Sequence, residues 1–324
     1  MKKRKFCPLC EGQTDKNTVL FEASDYITKD IFNVVRCIHC DCIYISPYPD
    51  NIEIHKYYPL CEYYGSETGR RFNPIMERLI HYFRFLRIKE ILRFKKKGTI
   101  LDIGCGRGIT LNILKTMGWD CTGIELSKGL ADYIKFNYAI NVMTCPVEEC
   151  NFPDASFDVV NIYHVLEHME YPAITLKEVR RIIKEDGLLV IALPNTGSFQ
   201  YGISLNKWFH LDVPRHMVHF SLFTLKKFIQ NYGFEIIETG GFSIEYDLYG
   251  LLQSILNITG CTHNFLYNML LNKKIDFKKI KTFYDLPVSF ILAPGLFIPS
   301  LFTEYILSYF NLNGTMEIYC RPKK

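Results

Sequence analysis

This 324-residue chain lacks several things, and each absence narrows what it can be. It has no excess of one charge: 38 basic residues against 34 acidic ones leave only +4. No secretory leader is expected, because Met1 to Lys5 run straight into Phe6-Cys7-Pro8-Leu9-Cys10 with no apolar stretch between them. It also falls short of a disulfide scaffold, with 12 cysteines spread over 324 residues. With 48% hydrophobic residues and a mean hydropathy of +0.01, the composition excludes disordered, collagen-like and polytopic membrane chains. The expectation is a globular protein of roughly two domains in a reducing cytoplasm, where clustered cysteines read first as metal ligands.

The cysteines that are present are clustered. Cys7-Pro8-Leu9-Cys10 and Cys37-Ile38-His39-Cys40 are two C-x2-C pairs with 26 residues between them. Together they offer the four thiolates that a structural Zn2+ takes in a closed tetrahedral site. Gly12 gives the first pair freedom to turn tightly. The spacer exceeds the usual length of about 15 to 20 residues, which keeps His39 and Cys42 open as substitute ligands. Buried thiols and a redox pair are the competing readings. Fewer than about 50 residues bury little core, so the metal would supply the folding energy of a zinc-ribbon-like domain over residues 1–46.

Residues 47–97 read as a connector. Tyr48, Tyr57, Tyr58, Tyr63 and Tyr64 crowd its first part, and a helical pattern over Pro74–Phe94 sets Ile75, Leu79, Tyr82, Phe83 and Leu86 on one face. From Arg70 to Lys97 there are ten basic residues and two acidic ones, a block suited to phosphates, RNA or a membrane surface, or simply to a solvated face. Gly98 then ends the helix, and Thr99-Ile100-Leu101-Asp102-Ile103 reads as a buried strand. It runs into Gly104-Cys105-Gly106-Arg107-Gly108 and a helical pattern from Ile109. Strand, glycine turn and helix start form the arrangement that lets backbone N–H groups approach a ligand closely. A second strand ends in Glu125, 21 residues after Gly104, where a carboxylate can accept both hydroxyls of a ribose. The dinucleotide fingerprint G-x-G-x-x-G needs glycine at 109, and Ile109 stands there.

With these residues in place the chain resembles the class I S-adenosylmethionine-dependent methyltransferases. Leu101 to Gly108 is similar to their first motif and Gly123-Ile124-Glu125-Leu126-Ser127 to their second. Phe152 to Val160 resembles the run into their fourth strand, and Arg180 to Gly187 the turn before their fifth, Leu188 to Leu193. The likeness covers about residues 98–243 and departs at Cys150-Asn151, where many relatives carry Leu-Pro. It implies that S-adenosylmethionine is the cofactor, with Asp102, Gly104, Gly106, Gly108, Glu125, Leu126, Val147, Glu148 and Tyr163 around it. Within that set the glycines would pack against the amino acid moiety, Glu125 would hold the ribose, and Val147-Glu148 would lie beside the adenine.

After the fourth strand comes His164-Val165-Leu166-Glu167-His168. On a helical turn, positions i, i+3 and i+4 would share a face and offer two imidazoles and a carboxylate for a proton or a metal. H-x-x-E-H is also an inverted zinc-peptidase motif, but it follows cofactor-binding strands here. The cluster resembles the E-x-x-E-H region of ubiquinone-pathway O-methyltransferases and small-RNA 2′-O-methyltransferases, which implies a second divalent metal as one reading. His164 in place of the first acid disfavours Mg2+. His219, before Phe220-Ser221-Leu222-Phe223-Thr224, is the later histidine of that pattern, with His216 as its neighbour. We expect His168, His164, Glu167 and His219 to form the catalytic set, with His168 as the proton acceptor. No Asn-Pro-Pro-Tyr or Asp-Pro-Pro-Tyr follows the fourth strand, which favours an oxygen acceptor.

Alternation continues through a helix over 221–231 and a strand over 234–237, and Gly314–Cys320 reads as a last strand. Residues 245–313 would then be an apolar insertion. Within it, Leu286 to Thr303 is a run of 18 uncharged residues, at the lower limit of a membrane span, yet Pro287, Pro294, Gly295 and Pro299 are expected to break such a helix. An interfacial segment at the membrane and a buried lid are both open readings of residues 286–303. The expected architecture is α/β: a zinc ribbon, the connector, and a doubly wound, mostly parallel seven-stranded sheet over 98–244 and 314–324. The expected activity is O-methylation of a small-molecule, sugar or lipid-linked glycan acceptor. An RNA methyltransferase and a non-catalytic cofactor-binding module are the alternatives.

Overall fold

Aliphatic and β-branched runs form the strands of this chain, and the amphipathic stretches between them form the helices. A computed structural model describes residues 1–50, 52–58, 74–240, 242–270 and 281–323; Tyr63, Tyr64 and Arg70 of the connector lie outside them. In chain order come β1 (Thr18–Ser24), β2 (Ile31–Arg36), β3 (Ile43–Ile45), α1 (Pro74–Phe94), β4 (Thr99–Ile103), α2 (Ile109–Thr116) and β5 (Asp120–Ile124). There follow α3 (Lys128–Tyr138), β6 (Asn141–Met143), β7 (Phe157–Tyr163), α4 (Pro172–Ile182), β8 (Ile183–Pro194), α5 (Phe199–Ser204), β9 (Val218–His219) and α6 (Leu222–Asn231). The chain continues through β10 (Phe234–Gly240), α7 (Tyr249–Ile258), α8 (Phe265–Leu270), α9 (Thr282–Ser308) and β11 (Thr315–Pro322). Two compact units result, one made of Met1–Pro59, Pro194–Thr224 and Gly240–Met316, the other of Leu60–Leu193, Leu225–Thr239 and Glu317–Lys324.

The second unit carries the expected sheet, in the order β10-β11-β8-β7-β4-β5-β6. β4 pairs in parallel with β5 on one side and β7 on the other, with Ile100 opposite both Cys121 and Val159. The chain therefore reverses direction across the sheet at β4, and the crevice beyond the carboxyl ends of these strands is where such folds bind ligands. Ile100, Val159, Leu188 and Val190 pack with Leu111, Leu114, Ala131 and Ile134 into one core. On α1, Leu79, Tyr82 and Leu86 are exposed, whereas Ile80, Ile88, Ile91 and Glu77 are buried. Charged side chains that find partners lie on the packed face.

The first unit holds a four-stranded sheet, β1-β2-β3-β9. β3 pairs antiparallel with β9 through Ile43 opposite His219 and Tyr44 opposite Val218. The fully buried Arg215 ties its segments together: Nη2 meets Asp25 Oδ1 at 2.9 Å and Asp212 Oδ1 at 2.6 Å, and Nη1 donates to the Tyr57 carbonyl at 2.9 Å. The apolar insertion supplies α7, α8 and α9, and here an expectation is corrected. α9 runs unbroken through Pro287, Pro294 and Pro299. Each proline removes a single donor, and the six and four residues between them keep whole turns intact.

Candidate functional site

The turn from β4 into α2 is built by its glycines. Gly104, Gly106 and Gly108 take φ of 71°, 55° and 69°, in the left-handed region. A Cβ on Gly104 would stand 2.3 Å from Val165 Cγ2, and one on Gly108 would stand 2.9 Å from Ile134 Cγ1. A Cβ on Gly106 would meet nothing within 4 Å, so the middle glycine borders open space while its neighbours are close-packed. The N–H groups of Gly104 and Cys105 both donate to the Ile124 carbonyl, at 2.8 and 3.0 Å, which pins the loop to the end of β5. α2 begins with no side-chain cap and no acid in its first turn, leaving its N–H groups and the positive end of its dipole at the loop.

Glu125, just past β5, turns its buried carboxylate back onto that loop. Oε2 accepts from Gly106 N at 3.0 Å and Oε1 from Ser127 N at 2.9 Å. Each oxygen keeps a further lone pair, so the group is positioned and still able to accept two hydroxyls. Burial raises its pKa, and the N–H groups of Ser127 and Gly106 oppose the shift. Asp102 lies inside the sheet, where its Oδ1 accepts from Asn161 Nδ2 at 2.7 Å and burial pushes its pKa up to about 6. A raised pKa means the folded state holds this proton where the unfolded chain has released it. The stabilisation it gives is full below the ordinary value of 3.8 and disappears as pH rises through about 6. Urea unfolding of wild type and Asp102→Asn between these pH values should show the wild type losing about 3 kcal/mol relative to the variant; parallel pH profiles would refute the assignment.

Around this centre, Leu126 is exposed, Val147 is buried and Glu148 is exposed on a single helical turn over Val147–Glu149. The Tyr163 hydroxyl donates to Glu317 Oε1 at 2.5 Å, and the Arg87 guanidinium lies 3.9 Å over its ring. Asn151 has φ of 52°, which proline cannot adopt, so the departure from Leu-Pro has a backbone cause. The sequence reading missed a clamp on the glycine loop: Arg107 donates through Nη1 and Nη2 to the two carboxylate oxygens of Glu77 on α1, at 3.1 and 2.8 Å. An arginine between two glycines was its only trace in the sequence.

The histidine cluster forms, but not on the expected α-helical face. His164 takes a left-handed φ of 55°, Leu166–His168 is one 3-10 turn, and α4 starts only at Pro172. Tyr171 precedes that proline, which disfavours helical backbone there and separates the turn from the helix. Glu167, buried, is near two imidazoles: Oε1 is 3.2 Å from His164 Nδ1, and a ring nitrogen of His168 lies within 4.8 Å of a carboxylate oxygen. His219 and His216 belong to the other unit; His219 is buried on β9, and His216 Nδ1 lies 2.8 Å from the His210 carbonyl.

The four cysteines converge. Cys7 Sγ is 3.6 Å from Cys40 Sγ, Cys10 Sγ is 3.6 Å from Cys37 Sγ, and all four sulfurs lie within 4.8 Å of one another. Tetrahedral Zn–S bonds of about 2.3 Å require sulfurs about 3.8 Å apart, so the set fits the ion. The two knuckles repeat one backbone design. Cys7 N donates to Gly12 O and Cys37 N to Cys42 O, while Glu11 and Asp41, each four residues after its first cysteine, take φ near 60°. Hydrogen bonds from Cys40 and Cys42 pull the Cys7 thiol far below its ordinary pKa, toward the thiolate that ligation needs. Cys42 is fully buried beside the set, and burial raises its pKa. His39 packs over Gly12, where a Cβ would come within 2.6 Å of its ring.

A family model described as a methyltransferase domain matches residues 73–239, just over half of the chain. A Mycobacterium tuberculosis protein named "Probable S-adenosylmethionine-dependent methyltransferase" is 28% identical over 104 residues, 32% of this chain and 38% of its own length. A 2-methyl-6-phytyl-1,4-hydroquinone methyltransferase of Synechocystis is 35% identical over 29% of this chain and 31% of that protein. A ubiquinone biosynthesis O-methyltransferase of Nitrosomonas europaea is 26% identical over 47% and 66%. The chain thus spans between about a third and two thirds of the length of these curated relatives. Among solved structures, an S-adenosylmethionine-dependent methyltransferase from Archaeoglobus fulgidus aligns over 82% of this chain and 99% of its own, with 23% identity and a TM-score of 0.48.

Proposed function

This chain belongs to the methyltransferase domain family, and from that premise we propose that it transfers the methyl of S-adenosylmethionine to an oxygen of a small-molecule or saccharide acceptor. The observation that carries the reading is the Glu125 carboxylate held on Gly106 N, beside the open space left by that glycine. Asp102, Gly104, Gly106, Gly108 and Glu125 would hold the cofactor, which supplies an activated sulfonium methyl when bound. The chain's own work is then to hold the acceptor in line, keep water out and remove a hydroxyl proton. His164 and His168, both near Glu167, are the acceptors for that proton. With Nδ1–H of His164 turned to Glu167, its Nε2 carries the lone pair. Cys7, Cys10, Cys37 and Cys40 would hold one structural Zn2+.

An oxygen acceptor is supported by the missing Asn-Pro-Pro-Tyr signature and by a relative named for O-methylation. RNA is the less favoured substrate, because part of the basic block is engaged within its own unit. Arg93 pairs with Glu90 and Glu238, Lys95 with Asp186, and Arg87 stacks on Tyr163. Calorimetry with S-adenosylhomocysteine tests the cofactor reading. Glu125→Ala removes the acceptor for two ribose hydroxyls and should weaken binding by about 1.5 to 3 kcal/mol. Unchanged affinity in that variant, or tighter binding of NAD than of S-adenosylhomocysteine by the wild type, would overturn it.

A further inference from the structure

Helix α9 presents its polar residues inward and its apolar ones outward. Thr282, Asp285, Ser289, Ser300 and Glu304 are its buried positions. Phe290, Ile291, Ile298 and Phe302 are 63%, 71%, 66% and 65% exposed. The polar row is fixed within its own unit: Asp285 accepts from Thr262 N and Oγ1 at 2.9 and 2.6 Å, and Glu304 accepts from Gln200 Nε2 and Asn313 Nδ2, both at 2.9 Å. These bonds set the rotation of the helix about its axis and leave the apolar side outward. An amphipathic helix at the surface of a water-soluble domain has the opposite arrangement, and a buried core helix is excluded because only 11% of the most apolar 18-residue window is buried.

A contiguous exposed apolar face of this kind marks an interaction surface, and three features select its partner. Tyr284 stands near one end of the helix and Tyr305 and Tyr309 at the other, with no charge from 286 to 303, which places amphipathic rings where apolar and polar media meet. In sequence, Lys273, Lys274, Lys278, Lys279 and Lys281 against the single Asp276 immediately precede the helix, a basic run that complements anionic headgroups. Pro287, Pro294, Gly295 and Pro299 are residue types that helices tolerate more readily in lipid than in water. Asp285 and Glu304, near opposite ends, are both bonded to the same unit, so the helix lies along a bilayer surface instead of crossing it. We propose that α9 docks this chain in the plane of an anionic lipid bilayer, its Phe290–Ile291–Ile298–Phe302 side in the boundary between headgroups and acyl chains. The reading stands apart from the identity of the methyl acceptor.

Vesicle flotation with the full chain tests it. Wild type should float with vesicles of equal parts phosphatidylcholine and phosphatidylglycerol, bind phosphatidylcholine alone more weakly, and lose the difference in high salt. Combined Phe290→Ser, Ile291→Ser, Ile298→Ser and Phe302→Ser should reduce partitioning at least tenfold, and each lysine of 273–279 changed to Gln should cost about fivefold on anionic vesicles. Phe290→Trp, a substitution that preserves an aromatic ring, gives a readout independent of the serine variant's stability: its emission should shift to the blue on adding vesicles and be quenched by brominated lipid. No shift, or flotation unchanged by a folded serine variant, would overturn the proposal. So would a wild type that forms dimers through this face in vesicle-free solution and never floats.

Discussion

His168→Ala is expected to lower turnover by about 10^2 to 10^4 with cofactor affinity unchanged, the usual contribution of a positioned general base. His164→Ala is expected to fall in the same range, because both rings are near Glu167, whose Oε1 is 3.2 Å from His164 Nδ1. Groups that act as one unit are not additive, so the double variant should be little worse than the poorer single one. Single-turnover kinetics on the true acceptor, with cofactor affinity measured in parallel, checks this. If both single variants keep full turnover, the cluster is packing and the mechanism is wrong. Loss of wild-type activity on chelation with the cysteine-bound zinc retained, and its return with added divalent ion, would instead make the cluster a metal site.

Purification without chelator should yield one Zn2+ per chain, and stripping it should unfold the sheet it supports. Zinc contributes about 10 to 16 kcal/mol of apparent binding energy in structural sites, which is folding energy where little core exists. The two knuckles are spaced by β1 and β2, and β3 carries the consequence onward through its pairing with His219 on β9. Cys7→Ser with Cys37→Ser should therefore lower the unfolding temperature of the first unit and expose backbone amides as far as residues 218–219 to hydrogen exchange. Zinc absent by elemental analysis, or full exchange protection in the metal-free protein, would contradict this.

Local chemistry explains which parts of the sequence reading survive in the structure. Thr99–Ile103 is legible as a strand because a parallel strand buried on both faces needs a largely aliphatic run, and Gly104, Gly106 and Gly108 are legible because glycine takes left-handed backbone without a steric penalty. Cys-x2-Cys spacing likewise encodes its own turn. The failures share a different cause. The buried stripe of α1 is not legible from apolar spacing, because Glu77 and Arg87 find partners in Arg107 and Tyr163, residues 30 and 76 positions away. The histidine motif could not show that Pro172 would hold it to one 3-10 turn with His164 outside, because i, i+3 and i+4 spacing assumes helical backbone.

The sequence by itself determined the elements whose geometry is set by neighbours along the chain: the parallel strands, the glycine turn with Glu125 beyond it, and the two cysteine knuckles. It also fixed the uncharged run of 286–303 as composition, without saying which way that run would face. Tertiary structure decided the orientation. Thr262, Gln200 and Asn313 hold the carboxylates of Asp285 and Glu304 inward, and that choice alone sends Phe290, Ile291, Ile298 and Phe302 outward. The same division holds at the cysteines, where spacing gave the candidate ligands and only the fold brought sulfurs 33 residues apart to 3.6 Å. Backbone preference is local and can be read along the chain, whereas a buried charge is stable only where a distant partner meets it, and the fold alone selects that partner.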